Sequence, residues 1–173
     1  MHCVIAWTWD GDPTPVAEQT QLEAWIDDQG LHLAVDAPFF SDPSPRHPPG
    51  PTPALWNFEV VEFFLVGADG QHYTEIELGP HGHHLVLRFD GVRQPTASEL
   101  SLTYSARIVG GRWMGEATLS AEHLPGGPFR ANACAIHGVG EGRRYLSAIP
   151  LGGDVPDFHR IGLFPAAVLY RAP

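Results

Sequence analysis

Residues 55 to 89 read LWNFEVVEFFLVGADGQHYTEIELGPHGHHLVLRF. Short runs rich in Val, Phe, Ile and Leu are separated by GADG and GPHG, both of which are turn chemistry. The stretch therefore predicts three successive β-strands at about 56–66, 71–79 and 84–89. Side chains alternate between the two faces of a strand. On the first strand Trp56, Phe58, Val60, Glu62 and Phe64 share a face; on the second Tyr73, Glu75 and Glu77 do so; on the third His84, Val86 and Arg88. The opposite faces of the second and third strands are mostly apolar, with Ile76, Leu78, Leu85, Leu87 and Phe89. Placing the polar faces together gives a surface of Glu62, Tyr73, Glu75, Glu77, His84 and Arg88 where a core would be apolar. Such a surface is expected to be a binding face on a β-sandwich or a solvated exterior.

The same grammar runs through the rest of the chain. Residues 3–9 (CVIAWTW) predict a first strand, and residues 21–26 and 31–37 flank the hairpin turn DDQG. Residues 38–54 hold seven prolines and predict a long, stiff surface crossing. Further strands are expected at 102–109 and 112–119 around Gly110-Gly111, and at 129–137 and 143–149. Residues 120–125 (SAEHLP) predict one helical turn capped by Ser120. IGLFPAAVLY, 161–170, predicts a last strand bent at Pro165. Glycine (19) and proline (17) punctuate the apolar runs throughout, and only 17% of residues are charged, which favours strands over helices. The expected fold is all-β: a two-sheet antiparallel β-sandwich, jelly-roll-like, of nine to ten strands with one short helical turn, in a single domain over residues 1–173.

Charge and composition exclude some partners. A net charge of −10 lacks the basic footprint that nucleic acid or an anionic membrane requires. No apolar run approaches the roughly 20 residues of a membrane span. The N-terminus MHCVIAWTWDGD has no basic region leading into an apolar one, so a cytoplasmic location is expected. Cys3 and Cys134 sit in apolar strand-like runs and are expected to be buried free thiols.

A saccharide site needs flat aromatic surfaces for the sugar ring and a fork of carboxyl, amide and guanidinium groups for its hydroxyls. The parts are present in Trp56, Tyr73, Trp113, Glu62, Glu75, Glu77, Arg88, Asn132 and Arg144, with His137 and His159 as further candidates. The plainer reading of each is a solvated outer face or a core aromatic. PHGHH at 80–84 allows a metal through His81, His83 and His84, but it reads more simply as a turn. Asp154, Asp157 and His159 form a weaker metal candidate. Glu62 and Glu75 have the residue types of a glycosidase acid and base. Ser147 lacks a GxSxG setting, and Cys134 with His137 or His159 would be a nucleophile pair only if the thiol were accessible.

At LWNFEVVEFFL…YTEIELGPHG the chain resembles the carbohydrate-binding module family 9-like domains, which belong with the DOMON-type β-sandwiches. Trp56, Glu59, Val61-Glu62-Phe63 and Tyr73 carry the likeness, and so does GRWMGEATLSAEHL through Trp113, Glu116 and Leu124, with Ser120 standing where that family has Pro. More narrowly, PFFSDPSP, LWNFEVVE, ELGPHGHHLVL, AIHG and PDFHR in that order resemble an uncharacterised group of small single-domain proteins in that class. The resemblance implies a concave sheet face that binds a small saccharide or similar polar metabolite without catalysis, with Glu62 as the residue carried over. It leaves room for a structural calcium in a loop without placing one. Haem is not expected, since Met1 and Met114 are the only methionines. Two alternatives stand beside this reading: an enzyme acting on a sugar or sugar derivative through Glu62, Glu75 or His159, and an interaction protein with no small-molecule ligand.

Overall fold

The structure is a computed structural model that describes residues 1–169. Its first four strands are β1 (His2–Ile5), β2 (Trp7–Thr8), β3 (Thr20–Ile26) and β4 (Gly30–Pro38). The Pro-rich crossing contributes β5 (Gly50–Pro51). Residues 60–90 supply β6 (Val60–Val66), β7 (His72–Leu78) and β8 (His83–Asp90), followed by β9 (Pro95–Ser98). β10 (Thr103–Val109) and β11 (Arg112–Ser120) form a hairpin, and β12 (Phe129–His137), β13 (Arg144–Ser147) and β14 (Ala166–Ala167) complete the set. One sheet has five strands in the order β1-β3-β4-β11-β10. The other runs β2-β13-β12-β6-β7-β8-β5, with β14 on β12 and β9 on β8. All pairings are antiparallel except the two-residue contact of β5 with β8.

The all-β two-sheet sandwich is thus the fold, with more and shorter strands than the sequence patterns predict. The run at 3–9 breaks at Ala6, where the chain leaves the small sheet and joins the large one. Short edge pairings at 50–51, 95–98 and 166–167 carry no periodicity to detect. Trp56 lies in a 3-10 turn, Leu55–Asn57, ahead of β6 and not on a strand. Four more 3-10 turns occur among the described residues; the one at Ala121–His123 follows Ser120, whose side chain makes no capping bond. Of the predicted last strand, Ile161–Leu163 is a 3-10 turn and only Ala166–Ala167 is extended, while Tyr170 lies outside the described residues.

Strand alternation builds two cores on the two faces of the large sheet. Inward, Val61, Phe63, Leu65, Ile76, Leu78, Val86 and the alanines 131, 133 and 135 meet Leu22, Leu33, Val35, Trp113 and Leu119 of the small sheet. Close approach is built in on this side: Gly30 at φ +134° leaves no room for a Cβ, which would lie 2.0 Å from the Leu119 carbonyl oxygen. Outward, Val60, Phe64, Val66, Tyr73, Leu85, Phe89, Cys134 and Ile136 pack against Leu151, Phe158, Ile161 and Phe164. The irregular segment 151–164 therefore covers a sheet face that would otherwise meet water. Cys134 is fully buried and Cys3 partly so, and both are free thiols.

Candidate functional site

Cross-strand register fixes which polar side chains meet. Glu62 on β6 stands directly opposite Glu77 on β7, and Phe64 stands opposite Glu75. Tyr73 faces Phe89 and stacks on it with ring centroids 4.4 Å apart. Glu62, Glu75, Glu77 and Tyr73 thus share the outer face of the large sheet. None of the four is more than 3% exposed.

A cavity of about 390 Å³ opens on this face. Its floor is Glu62, Glu75, Leu87, Phe89 and Ile136, and its walls are Trp56, Tyr145, Phe158 and His159, with Arg93, Pro95 and Pro156 at the mouth. Trp56 is 43% exposed and presents its indole at the rim. Arg143 holds the Trp56 turn in place. Its guanidinium donates to the Trp56 carbonyl, to the Asn57 carbonyl at 3.1 Å and to the Tyr145 hydroxyl at 3.2 Å, and it lies 5.6 Å from the Tyr145 ring centroid.

A hydrogen-bonded relay closes the other side. The backbone N–H of Arg93 donates to Tyr73 Oη at 3.0 Å, and Tyr73 Oη lies 2.7 Å from His159 Nδ1. The phenol has one proton to give, and Nδ1 is its acceptor; the ring proton then sits on Nε2, which faces Glu75 Oε2 at 3.8 Å. Burial, with Arg93 nearby, lowers the His159 pKa to about 4, so the ring is neutral at ordinary pH. Arg93 also donates to Asp157 at 2.7 Å, and Asp157 accepts the His159 backbone N–H at 3.0 Å. Arg93 adopts φ +57°, a left-handed conformation that costs a non-glycine residue roughly 1 kcal/mol, and the contacts of both its amide and its guanidinium hold it there.

The carboxyls have few partners. Glu75 Oε2 and both oxygens of Glu77 are buried and make no hydrogen bond within the protein. Burial pushes Glu62 up to about 8, against the opposing pull of Arg143. Burial and then the Glu62 charge push Glu75 and Glu77 well above the usual carboxylate range. Burial thus favours the protonated form on this face, and a carboxylic acid both donates and accepts hydrogen bonds.

Four predicted residues line the cavity: Trp56, Glu62, Glu75 and His159. Tyr73 and Glu77 share the same sheet face without lining the cavity. Six others do not line it. Arg88 and His84 lie on the inward face, because Thr74 opposes Arg88 and Leu78 opposes His84 across the Gly79–Gly82 turn. His137 and Arg144 both bind Glu18, each at 3.0 Å, and His137 stacks on Phe40, in a separate cluster. Asn132 shares the outer face but spends its amide on Ser147 Oγ at 2.9 Å. Trp113, read as a sugar platform, is core and 1% exposed. The histidines of PHGHH diverge: His83 Nε2 bonds to the His47 carbonyl at 2.9 Å, while His81 meets Phe39 and His84 meets Tyr104 edge-on. Among the described residues no three His, Cys, Asp or Glu side chains are arranged to hold a metal ion, and no helix is long and apolar enough to cross a membrane.

No family model matches the sequence. The chain is 38% identical over 172 residues to the UPF0462 protein C4orf33 homolog of Danio rerio, covering 95% of this chain and 87% of that one. It is 36% identical to the UPF0462 protein C4orf33 of Homo sapiens, over 95% of this chain and 86% of that one. The chain belongs to the UPF0462 family. Among solved structures, this UPF0462 protein aligns with a "putative carbohydrate-binding protein" from Bacteroides uniformis at a TM-score of 0.73 and 14% identity, covering 95% of this chain and 84% of that chain. That likeness shows a shared β-sandwich fold. A carbohydrate-binding module family 9 from Caldicellulosiruptor kristjanssonii, in complex with cellotriose, aligns at a TM-score of 0.46 with 10% identity over 78% of this chain and 67% of that chain. In the UPF0462 chain the residues that pattern reading misses at the cavity include Arg93, Pro156 and Phe158. PDFHR supplied a partial signal, since Asp157, Phe158 and His159 all meet at this site.

Proposed function

We propose that this protein is a non-catalytic binding protein for a small polar ligand of the saccharide class. The ligand would occupy the cavity over Glu62 and Glu75. The observation that carries the reading is the pairing of aromatic walls with buried carboxyls whose hydrogen-bonding capacity the protein leaves unused. A volume of about 390 Å³ lies in the range of small-molecule sites. Trp56 and Tyr145 offer ring faces, and Glu62, Glu75 and the His159 Nε2–H offer directional polar groups. The fold shared with the Bacteroides uniformis protein is in keeping with this reading. Binding is favoured over glycoside hydrolysis because a carboxylate nucleophile or base must be ionised, whereas burial opposes ionisation of both Glu62 and Glu75.

A thermal-shift screen of glycans and polar metabolites tests this, since a ligand that binds the folded state raises Tm as its concentration increases. Glu62→Gln should weaken the selected ligand on the order of tenfold, the cost of one well-placed charged-capable hydrogen bond. Arg88→Ala and Arg144→Ala should leave affinity unchanged, because both side chains lie away from the cavity. A ligand indifferent to Glu62→Gln but lost in either arginine variant would overturn the assignment.

A further inference from the structure

The carboxyl face of the cavity holds more acid than a neutral sugar requires. One or two carboxyls serve the hydroxyls of a pyranose ring. Here Glu62 faces Glu77 directly across the strand pair, with Glu75 one step along, so three acids crowd one small area. Acids side by side on neighbouring strands repel when ionised. Arg143 pulls against the rise at Glu62 and Arg93 against that at Glu75, but neither guanidinium is bonded to these carboxyls. Arg93 is bound to Asp157, and Arg143 is spent on the carbonyls of residues 56, 57 and 138 and on Tyr145. Glu75 lines the cavity, is 3% exposed, and carries an oxygen with no partner. The aromatic walls add to the same field. The rings of Trp56, Tyr145, Phe158 and Phe89 border the cavity, and ring faces attract cations.

We infer that the group received against Glu62 and Glu75 is a protonated amine, so that the ligand is a small organic cation carrying that amine on a polar or cyclic frame. The inference rests on the cavity reading above and narrows its ligand class. A neutral ligand would hydrogen-bond to the acids as they stand. An ammonium does something else: it favours the ionised form of Glu62 and Glu75, offsets the repulsion that ionisation brings and sends protons to solvent. Binding is therefore coupled to proton release, and it strengthens as pH rises and ionisation becomes easier.

Calorimetric titration with two matched pairs, cyclohexylamine against cyclohexanol and benzylamine against benzyl alcohol, separates the possibilities. Each pair keeps shape and changes charge. Near pH 8 each amine should bind on the order of tenfold tighter than its alcohol, and the gap should narrow toward about pH 6. Repeating the titration in buffers of different ionisation enthalpy should show proton release for the amines and none for the alcohols. Glu75→Gln should abolish the amine's advantage over its alcohol and the proton release that accompanies it, because the amide keeps the carboxyl's shape but cannot ionise. Equal affinity within both pairs, or a gap that shrinks as pH rises, overturns the inference. If no amine binds but a neutral glycan from the thermal-shift screen does, the amine assignment fails and the cavity reading stands. If no amine, alcohol or glycan binds, both fail.

Discussion

Raising the pH from about 6.5 to about 8 lowers the stability of this protein, and Glu77→Gln removes one acid's share of that loss. Glu62, Glu75 and Glu77 have folded-state pKa values above their ordinary value of 4.5, chiefly because burial penalises the charged form. Between the unfolded and folded values, the folded chain holds protons that the unfolded chain has released. Stability contributed this way is fully present below the unfolded pKa and is lost as pH climbs through the folded one. An acid held protonated in the fold lowers stability by about 1.4 kcal/mol per pH unit for as long as it stays so. His159 does not obscure the result. Its pKa is lowered to about 4, so its effect lies below the ordinary imidazole value and has the opposite sign there. Glu59, raised to about 7 by burial, acts in the same direction as the triad over the lower part of the window. Urea denaturation at several pH values measures the slope. A wild-type curve that is flat or rising over this interval would contradict the burial of these acids, and so would a Glu77→Gln curve parallel to it.

The acids were legible in the sequence as a polar face, but their environment was not. The pattern Tyr73-x-Glu75-x-Glu77 places three side chains on one side of β7, and the structure keeps them there. Alternation alone cannot say that segment 151–164, which has no period of its own, folds back over that face and turns a solvated surface into a buried one. Register was the second blind spot. Joining β7 and β8 through Gly79–Gly82 sets Leu78 against His84, so the even-numbered residues of the two strands share a face and Arg88 parts from the glutamates. Pattern reading within single strands gave no means of pairing them. His137 and Arg144 were misplaced for a similar reason: their common partner, Glu18, lies in a 3-10 turn more than a hundred residues earlier. The cavity mouth depends on Arg93 and Pro156 from loops, where contacts are set by tertiary packing and not by period.

Tyr73→Phe should destabilise the protein by about 2–4 kcal/mol and loosen the cavity wall, although it removes a single oxygen. That oxygen joins three elements. It accepts the Arg93 amide N–H at 3.0 Å and donates to His159 Nδ1 across 2.7 Å, while its ring stacks on Phe89 of β8. Phenylalanine keeps the stacking and leaves two polar groups without partners in a partly buried site, and each orphaned group costs about 1–3 kcal/mol. The loss extends beyond the bond itself, because Arg93 holds a left-handed backbone that the bond helps to maintain. Hydrogen exchange in residues 152–160 should accelerate, and affinity for any cavity ligand should fall with it, since His159 and Phe158 lose their fixed positions. The double variant Tyr73→Phe with His159→Phe offers the decisive comparison. Replacing both partners of a buried hydrogen bond by apolar groups is far less costly than removing one, so part of the lost stability should return while ligand affinity stays low. If Tyr73→Phe alone keeps wild-type stability and slow exchange over 152–160, the relay does not hold the covering segment, and the cavity owes its shape to the apolar contacts of Phe158, Ile161 and Phe164 instead.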